Sequence, residues 1–175
     1  MNLLFRMLRV LICARWRSRT SPLDETSVAF HVWPTDLDPL FHMNNGRYLT
    51  LMDLGRADAI LRNGIRRSLS EHGWYPVVAS EAIRFRESLN PFARYELRTR
   101  LLGWDERSFY YRQAFVARGR ESAAALVRIR ILRKSGGTVD APEVAAAILP
   151  TVERPLIADY VAQWQESERA FSRTP

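Results

Sequence analysis

Between residues 94 and 133 the chain alternates apolar and polar side chains through three segments joined by short turns. That pattern leaves few folds open. Tyr95, Leu97, Thr99 and Leu101 alternate with Glu96, Arg98 and Arg100. Phe109, Tyr111, Gln113 and Phe115 share a face, and Val127, Ile129 and Ile131 oppose Arg128 and Arg130. A period of two marks half-buried strands. The connections Gly103-Trp104-Asp105-Glu106 and Gly119 are short enough for hairpins, so the three strands predict an antiparallel sheet. Two further strands are expected. One spans residues 27–33, with Val28, Phe30 and Val32 on one face; the other spans 76–87 and is closed by the turn at Asn90-Pro91.

Between these two strands the period changes. Leu49, Met52, Ala59 and Ile60 give an apolar stripe on a helix predicted to start near Asn45. Gly55 and Ala59, four apart, form a small pair that lets a helix approach a sheet closely. Asn63-Gly64 suits the helix end, and a short second helix is expected over 65–72, stopped by Gly73. The order is strand, helix, four strands. It predicts an α+β domain, one long central helix packed on a curved five-stranded antiparallel sheet, with short helices at both ends of the chain. One helix leaves apolar sheet uncovered, so a second subunit is expected. The domain is placed at 26–134, after a basic apolar helix over 1–20 and before a helical tail over 135–175. That tail is expected to hold a helix from Glu143 to Leu149. A second would start at Pro155, with Leu156, Tyr160, Val161 and Trp164 on one face.

Composition removes several function classes. The single cysteine, Cys13, excludes an intrachain disulfide and multi-thiolate zinc sites, and fits a reducing, cytoplasmic compartment. His31, His42 and His72 lack metal-ligand spacing, so no metal or other cofactor is expected. The net charge of +7 resembles a nucleic-acid signal, but all 26 basic residues except Lys134 are arginines scattered along the chain, opposite apolar residues. They read as solvated strand faces, and no nucleic-acid partner is expected. In residues 1–19, Arg6 and Arg9 interrupt the apolar run, which is also too short to span a bilayer. Two readings stay open: a helix peripheral to the inner face of an anionic membrane, or one packed on the domain or a partner subunit.

The chemistry points to Trp33-Pro34-Thr35-Asp36-Leu37-Asp38-Pro39-Leu40-Phe41-His42-Met43-Asn44-Asn45-Gly46-Arg47-Tyr48. Two acids lie two apart in a loop that opens a helix. A helix start offers free N–H groups and a positive dipole end, able to stabilise an oxyanion. A carboxylate beside it can act as base or nucleophile on a carbonyl, which describes ester or thioester hydrolysis. The bland alternative is that Asn44 or Asn45 merely caps the helix and Asp36 shapes a turn.

This string resembles the D-x-D-x-x-x-H-x-N-N-x-x-Y signature of hotdog-fold thioesterases, including 4-hydroxybenzoyl-CoA thioesterase and related acyl-CoA thioesterases. The stretch from Arg98 to Tyr110 resembles the same superfamily, nearest to the animal thioesterase-superfamily members with an apolar, membrane-associated amino terminus. The resemblance covers about residues 26–133. It implies hydrolysis of an acyl-CoA by a homodimer or dimer of dimers. Asp38 matches the catalytic carboxylate, and the backbone N–H of Asn45 matches the oxyanion donor, with Gly46 beside it. His42 matches a loop or substrate contact, Tyr48 an aromatic near the acyl site, and Asp36 a loop-shaping acid with catalytic partner as its alternative. Many relatives carry glycine just before the histidine and some asparagine two before it; here Phe41 and Leu40 stand there. Both are expected to line or narrow an acyl pocket with Leu49 and Met52, or to leave a site that binds acyl groups without turnover. Arg84 or Arg86 is the candidate contact for CoA phosphates. A hotdog dehydratase is disfavoured, because that branch spaces its Asp and His differently.

Overall fold

The computed structural model describes residues 3–172; the ends of the amino-terminal helix and tail assigned above, residues 1–2 and 173–175, lie outside them. The chain runs α1 (Leu3–Ala14), β1 (Thr26–His31), a 3-10 turn at Pro34–Asp36, α2 (Asn45–Arg62), α3 (Ile65–Glu71) and β2 (Trp74–Phe85). It continues through β3 (Arg94–Trp104), β4 (Phe109–Ala117), β5 (Arg120–Arg133), β6 (Thr138–Val139), α4 (Ala141–Ile148) and α5 (Asp159–Ser172). All strands pair antiparallel in the order β1-β3-β4-β5-β2, with β6 on β5. Register shifts at Val78/Ser80, Leu101/Gly103 and Phe115/Val116 are the bulges that bend such a sheet. Arg118 and Gly119 both have positive φ, as a two-residue hairpin turn between β4 and β5 requires. Pro76 lies within β2, which tolerates it because β2 is an edge strand.

The central helix packs as the small pair predicts. A Cβ on Gly55 would lie 2.6 Å from Thr99 Oγ1 and 2.9 Å from Leu97 Cδ2, so only glycine allows this approach to β3. The expected stripe needs correction. Leu49 is exposed and Ile60 half-buried, whereas Tyr48, Leu51, Met52, Leu54, Gly55, Asp58 and Ala59 are buried. The helix is covered on two sides, by the sheet and by α1, so its apolar pattern is not one clean stripe.

Two expectations for the tail also change. Ser135-Gly136-Gly137 turns into β6, which extends the sheet, so the expected fifth strand is followed by a short sixth. The last helix starts at Asp159 rather than Pro155. Pro155 instead sits against Gly103, whose absent Cβ would meet the Pro155 carbonyl at 3.2 Å. Leu156 is exposed, while Val161 is buried and Trp164 packs edge-on against Tyr110.

The amino-terminal helix packs on the domain. Arg6, Val10 and Ala14 are buried, and Leu4, Phe5, Leu8, Leu11 and Ile12 face outward. Two of its arginines, with Arg17 just past its end, do specific work. β1 is the sheet's other edge, and its carbonyls at Ser27, Ala29 and His31 accept bonds from Arg17, Arg9 (2.7 Å) and Arg6 (3.2 Å) respectively. Three guanidiniums thus stand where a neighbouring strand would pair, which closes an otherwise open edge.

Candidate active site

Asp36 and Asp38 lie two residues apart and have different environments. Asp36 is buried; one carboxylate oxygen accepts the Trp33 N–H (2.9 Å) and pairs with Arg6. Its main chain also reaches forward, the Asp36 carbonyl accepting the Asn44 N–H at 2.8 Å. Asp38 is half-buried in the small loop that follows. A bridge between Leu37 and Met43 closes that loop, and the Asp38 N–H donates to the His42 carbonyl at 2.9 Å. One carboxylate oxygen of Asp38 accepts the N–H groups of Leu40 (2.9 Å) and His42 (3.3 Å). Those bonds fix the carboxylate's direction, and among the described residues no donor engages its second oxygen.

The loop feeds directly into α2. Asn44 is the N-cap, its Oδ1 accepting the Gly46 N–H at 2.9 Å. The Gly46 donor is therefore spent on the cap, whereas the Asn45 N–H meets no acceptor among the described residues. The 18-residue helix thus begins with a free N–H at its positive end, a few residues after a loop that holds an oriented carboxylate; a helix start of this kind can stabilise an oxyanion.

The other named residues separate into roles. Tyr48 is buried, its ring edge-on to Phe115 (4.8 Å) and Phe85 (5.0 Å). Burial raises the Tyr48 phenol's pKa, partly offset by a hydrogen bond with the Leu89 backbone. It is a pillar under the loop, and Leu89 also accepts the Met43 N–H, at 3.0 Å. His42 is half-buried and contributes its backbone to the Asp38 loop. Leu40 and Phe41 are 75% and 72% exposed and line neither of the two cavities described below. Phe41 has φ of 59°, in the left-handed region that favours glycine. That conformation explains why glycine suits this position.

The apolar cavity lies further along the helix. About 210 Å³ is enclosed by Ala57 and Ile60 of α2, Ile65 and Leu69 of α3, and the sheet residues Leu101, Phe109, Tyr111, Ile129 and Ile131. Asp53 and Arg56 are its only charged lining residues among those described. Asp53 stands eight positions beyond Asn45, about 12 Å along the helix. Arg56 binds Asp53, Glu81 (3.2 Å) and the Gln113 Oε1 (2.6 Å), while the Gln113 amide donates to the Met52 carbonyl and Thr99 Oγ1. Burial raises the Glu81 pKa against the opposing pull of Arg56. The i,i+3 spacing of Asp53 and Arg56 was the one available signal for this network. Arg84 and Arg86 line neither this cavity nor the groove beside α5, and Arg86 is 3.7 Å from Glu121. Instead Arg107, Arg128, Arg130 and Arg169 line a polar groove of about 750 Å³ beside α5. Among the described residues, no group of His, Cys, Asp or Glu could hold a metal ion.

A long helix set against a curved antiparallel sheet is the hotdog architecture of thioesterase-like proteins. The model of the thioesterase-like superfamily matches residues 32–149, and the chain belongs to that superfamily. It is 38% identical over 144 residues to Protein THEM6 of Xenopus laevis, covering 81% of this chain and 68% of that protein. It is 40% identical over 102 residues to Protein THEM6 of Danio rerio, covering 57% of this chain but only half of that protein. Among solved structures, BH1999 gentisyl-coenzyme A thioesterase superposes with a TM-score of 0.61 at 16% identity, covering 69% of this chain and 98% of that one. At that identity the likeness speaks for the hotdog fold alone. Thioester hydrolysis is the general class of chemistry that the superfamily assignment supports.

Proposed function

We propose that the chain hydrolyses an acyl-CoA to free acid and CoA. The observation that carries this reading is the Asp38 carboxylate, oriented by two backbone N–H groups in the loop that runs directly into α2, whose first residue, Asn45, has an unpartnered N–H among the described residues. Asp38 either deprotonates a water that attacks the thioester carbonyl, or attacks it directly to expel the CoA thiolate and form an acyl–Asp38 anhydride, which water then hydrolyses to the free acid and the regenerated carboxylate. The carbonyl oxygen, turning into an oxyanion, is met by the Asn45 N–H and the helix dipole. A thiolate is a good leaving group, so no strong general acid is needed. The acyl group lies along α2 toward the apolar cavity, and CoA is the one cofactor-like part, entering with the substrate. The name of the gentisyl-coenzyme A thioesterase agrees with a CoA substrate without transferring its acyl group to this chain.

The acting unit is a homodimer, or a dimer of dimers. β2 is a 12-residue edge strand with Val78 exposed, and its open edge suits pairing with a second copy. The protein works in the cytoplasm, peripheral to the inner face of a membrane. This rests on the outward apolar face of α1, flanked by Arg15, Arg19 and the exposed Trp16. Among the described residues no helix is long and apolar enough to cross a bilayer.

Free thiol release from a panel of acyl-CoAs of different length and aromaticity tests the activity. Turnover of at least one member is expected. The same outward face of α1 favours a second reading, a non-catalytic acyl-CoA or lipid-binding dimer. Tight acyl-CoA binding by calorimetry with no thiol release from any member would select it. Flotation on anionic vesicles, with and without residues 1–19, tests the membrane contact; equal and poor flotation of both forms removes it.

A further inference from the structure

The two acidic residues of the loop motif are tied to different parts of the molecule. Asp38 is held by its own loop, whereas Asp36 is held by a residue 30 positions away, on the amino-terminal helix. Arg6 and Asp36 are each 2% exposed and form a buried ion pair. Arg6 also donates to the His31 carbonyl at 3.2 Å, so one guanidinium grips both the end of β1 and the turn that leaves it. From Asp36 the connection continues by backbone. Its carbonyl accepts the Asn44 N–H, and Asn44 caps α2 through Gly46. Arg47 of the first helical turn returns to the same turn, donating to the Thr35 carbonyl at 2.9 Å, with its Nε 3.8 Å from Asp36. Asp36 thus forms the node between α1 and the helix start that holds the free Asn45 N–H.

A buried ion pair is a poor choice for holding a helix in place by stability alone, since well-packed apolar residues generally do as well or better. The arginine is not even fully used, for its Nε is buried without a partner. What the pair supplies is position: one guanidinium nitrogen, Nη2, is shared between the Asp36 carboxylate and the His31 carbonyl, a directional contact that apolar packing does not provide. We infer that Arg6 is a positioning residue for the active-site loop, and that α1 is part of the site rather than an appendage to it. The docked helix fixes Asp36, and Asp36 fixes the entry to α2, the point from which the free Asn45 N–H and the Asp38 loop are both held. This rests on the proposed catalytic roles of Asp38 and Asn45.

The test uses full-length variants: Arg6→Met, Arg6→Lys, and the double change Arg6→Met with Asp36→Leu, which removes both charges. Two readouts are compared, kcat and KM for acyl-CoA hydrolysis, and hydrogen exchange of the backbone over residues 37–47. Arg6→Met is expected to lower kcat at least tenfold with KM changed less than threefold, and to speed exchange across the loop. Arg6→Lys should recover part of the rate. The double variant keeps no unpaired buried charge, so it remains foldable if Arg6→Met alone does not. It is expected to melt near the parent temperature while still losing kcat and loop protection. A folded double variant with parental kcat and parental loop exchange would overturn the inference. Loop exchange needs no turnover, so it decides the role of Arg6 even if Asp38→Asn proves fully active and the catalytic reading fails.

Discussion

Phe41 is the residue at which this loop departs most visibly from the pattern it resembles. It occupies the left-handed region at φ of 59° and leaves its ring in solvent, so the chain bears the conformational cost without burying the side chain. For a residue with a Cβ that cost is about 1–2 kcal/mol, offset on changing to glycine by up to about 1 kcal/mol of extra unfolded-chain entropy. Phe41→Gly is therefore predicted to leave stability unchanged or raise it by up to about 1 kcal/mol. Phe41→Val, branched at Cβ, is predicted to lower it. Urea melts of the two variants check this; a loss on Phe41→Gly larger than that on Phe41→Val would show that the ring has a packing role. Asp36 and Asp38 show how far composition and spacing can go. Their separation by two could be read directly, but not their division into a buried node and an oriented half-exposed carboxylate. That division depends on Arg6, which no local pattern links to them.

At the scale of elements, α1 covers an edge. Arg6, Arg9 and Arg17 occupy carbonyls of β1 that a further strand would otherwise take. Removing residues 1–19 exposes this row of acceptors beside the apolar Val28 and Phe30. The truncated protein is predicted to melt at a lower temperature and to form species larger than the full chain does, as measured by light scattering after size exclusion. Equal mass and equal melting temperature would mean that the arginines are incidental to the edge. The strands β3, β4 and β5 were legible because alternation and hairpin turns are local signals, and α2 began where Asn44 caps it. The start of α5 was not legible. Pro155 suits a first helical turn locally, but its contact with Gly103, 52 residues earlier, holds it out of the helix. β6 was missed for a similar reason: two residues carry no period, and only pairing with Ile131 and Leu132 makes them a strand. The central helix shows no clean stripe in its sequence because it is buried against α1 as well as the sheet, a fact about the whole fold.

At the scale of the whole molecule, several phenols are buried where the sheet meets its covering elements. Tyr110 is 1% exposed and donates to Asp105 at 2.7 Å; burial first, then that hydrogen bond, pushes its phenol up to about 12. The unfolded chain releases this proton from about pH 10 upward, while the folded protein keeps it. Over that window the folded state binds more protons than the unfolded one, so stability is fully present below about pH 10 and falls as pH rises toward 12. Tyr110→Phe is predicted to flatten this decline; melting temperatures between pH 8 and 11.5 check it, and an unchanged slope would assign the decline to other groups. The same hairpin end carries the arginine-lined groove, and the opposite end of the sheet carries the Asp38 loop, because β1 leaves the sheet at His31, beside Arg94 at the start of β3. Hydrolysis is the central claim, and it rests on one carboxylate. The most direct measurement is the single-turnover rate of thiol release from an acyl-CoA that the parent protein cleaves, for the parent and for Asp38→Asn, with folding checked by circular dichroism. A loss of at least a hundredfold with native spectra is predicted; a rate within threefold of the parent would contradict the account.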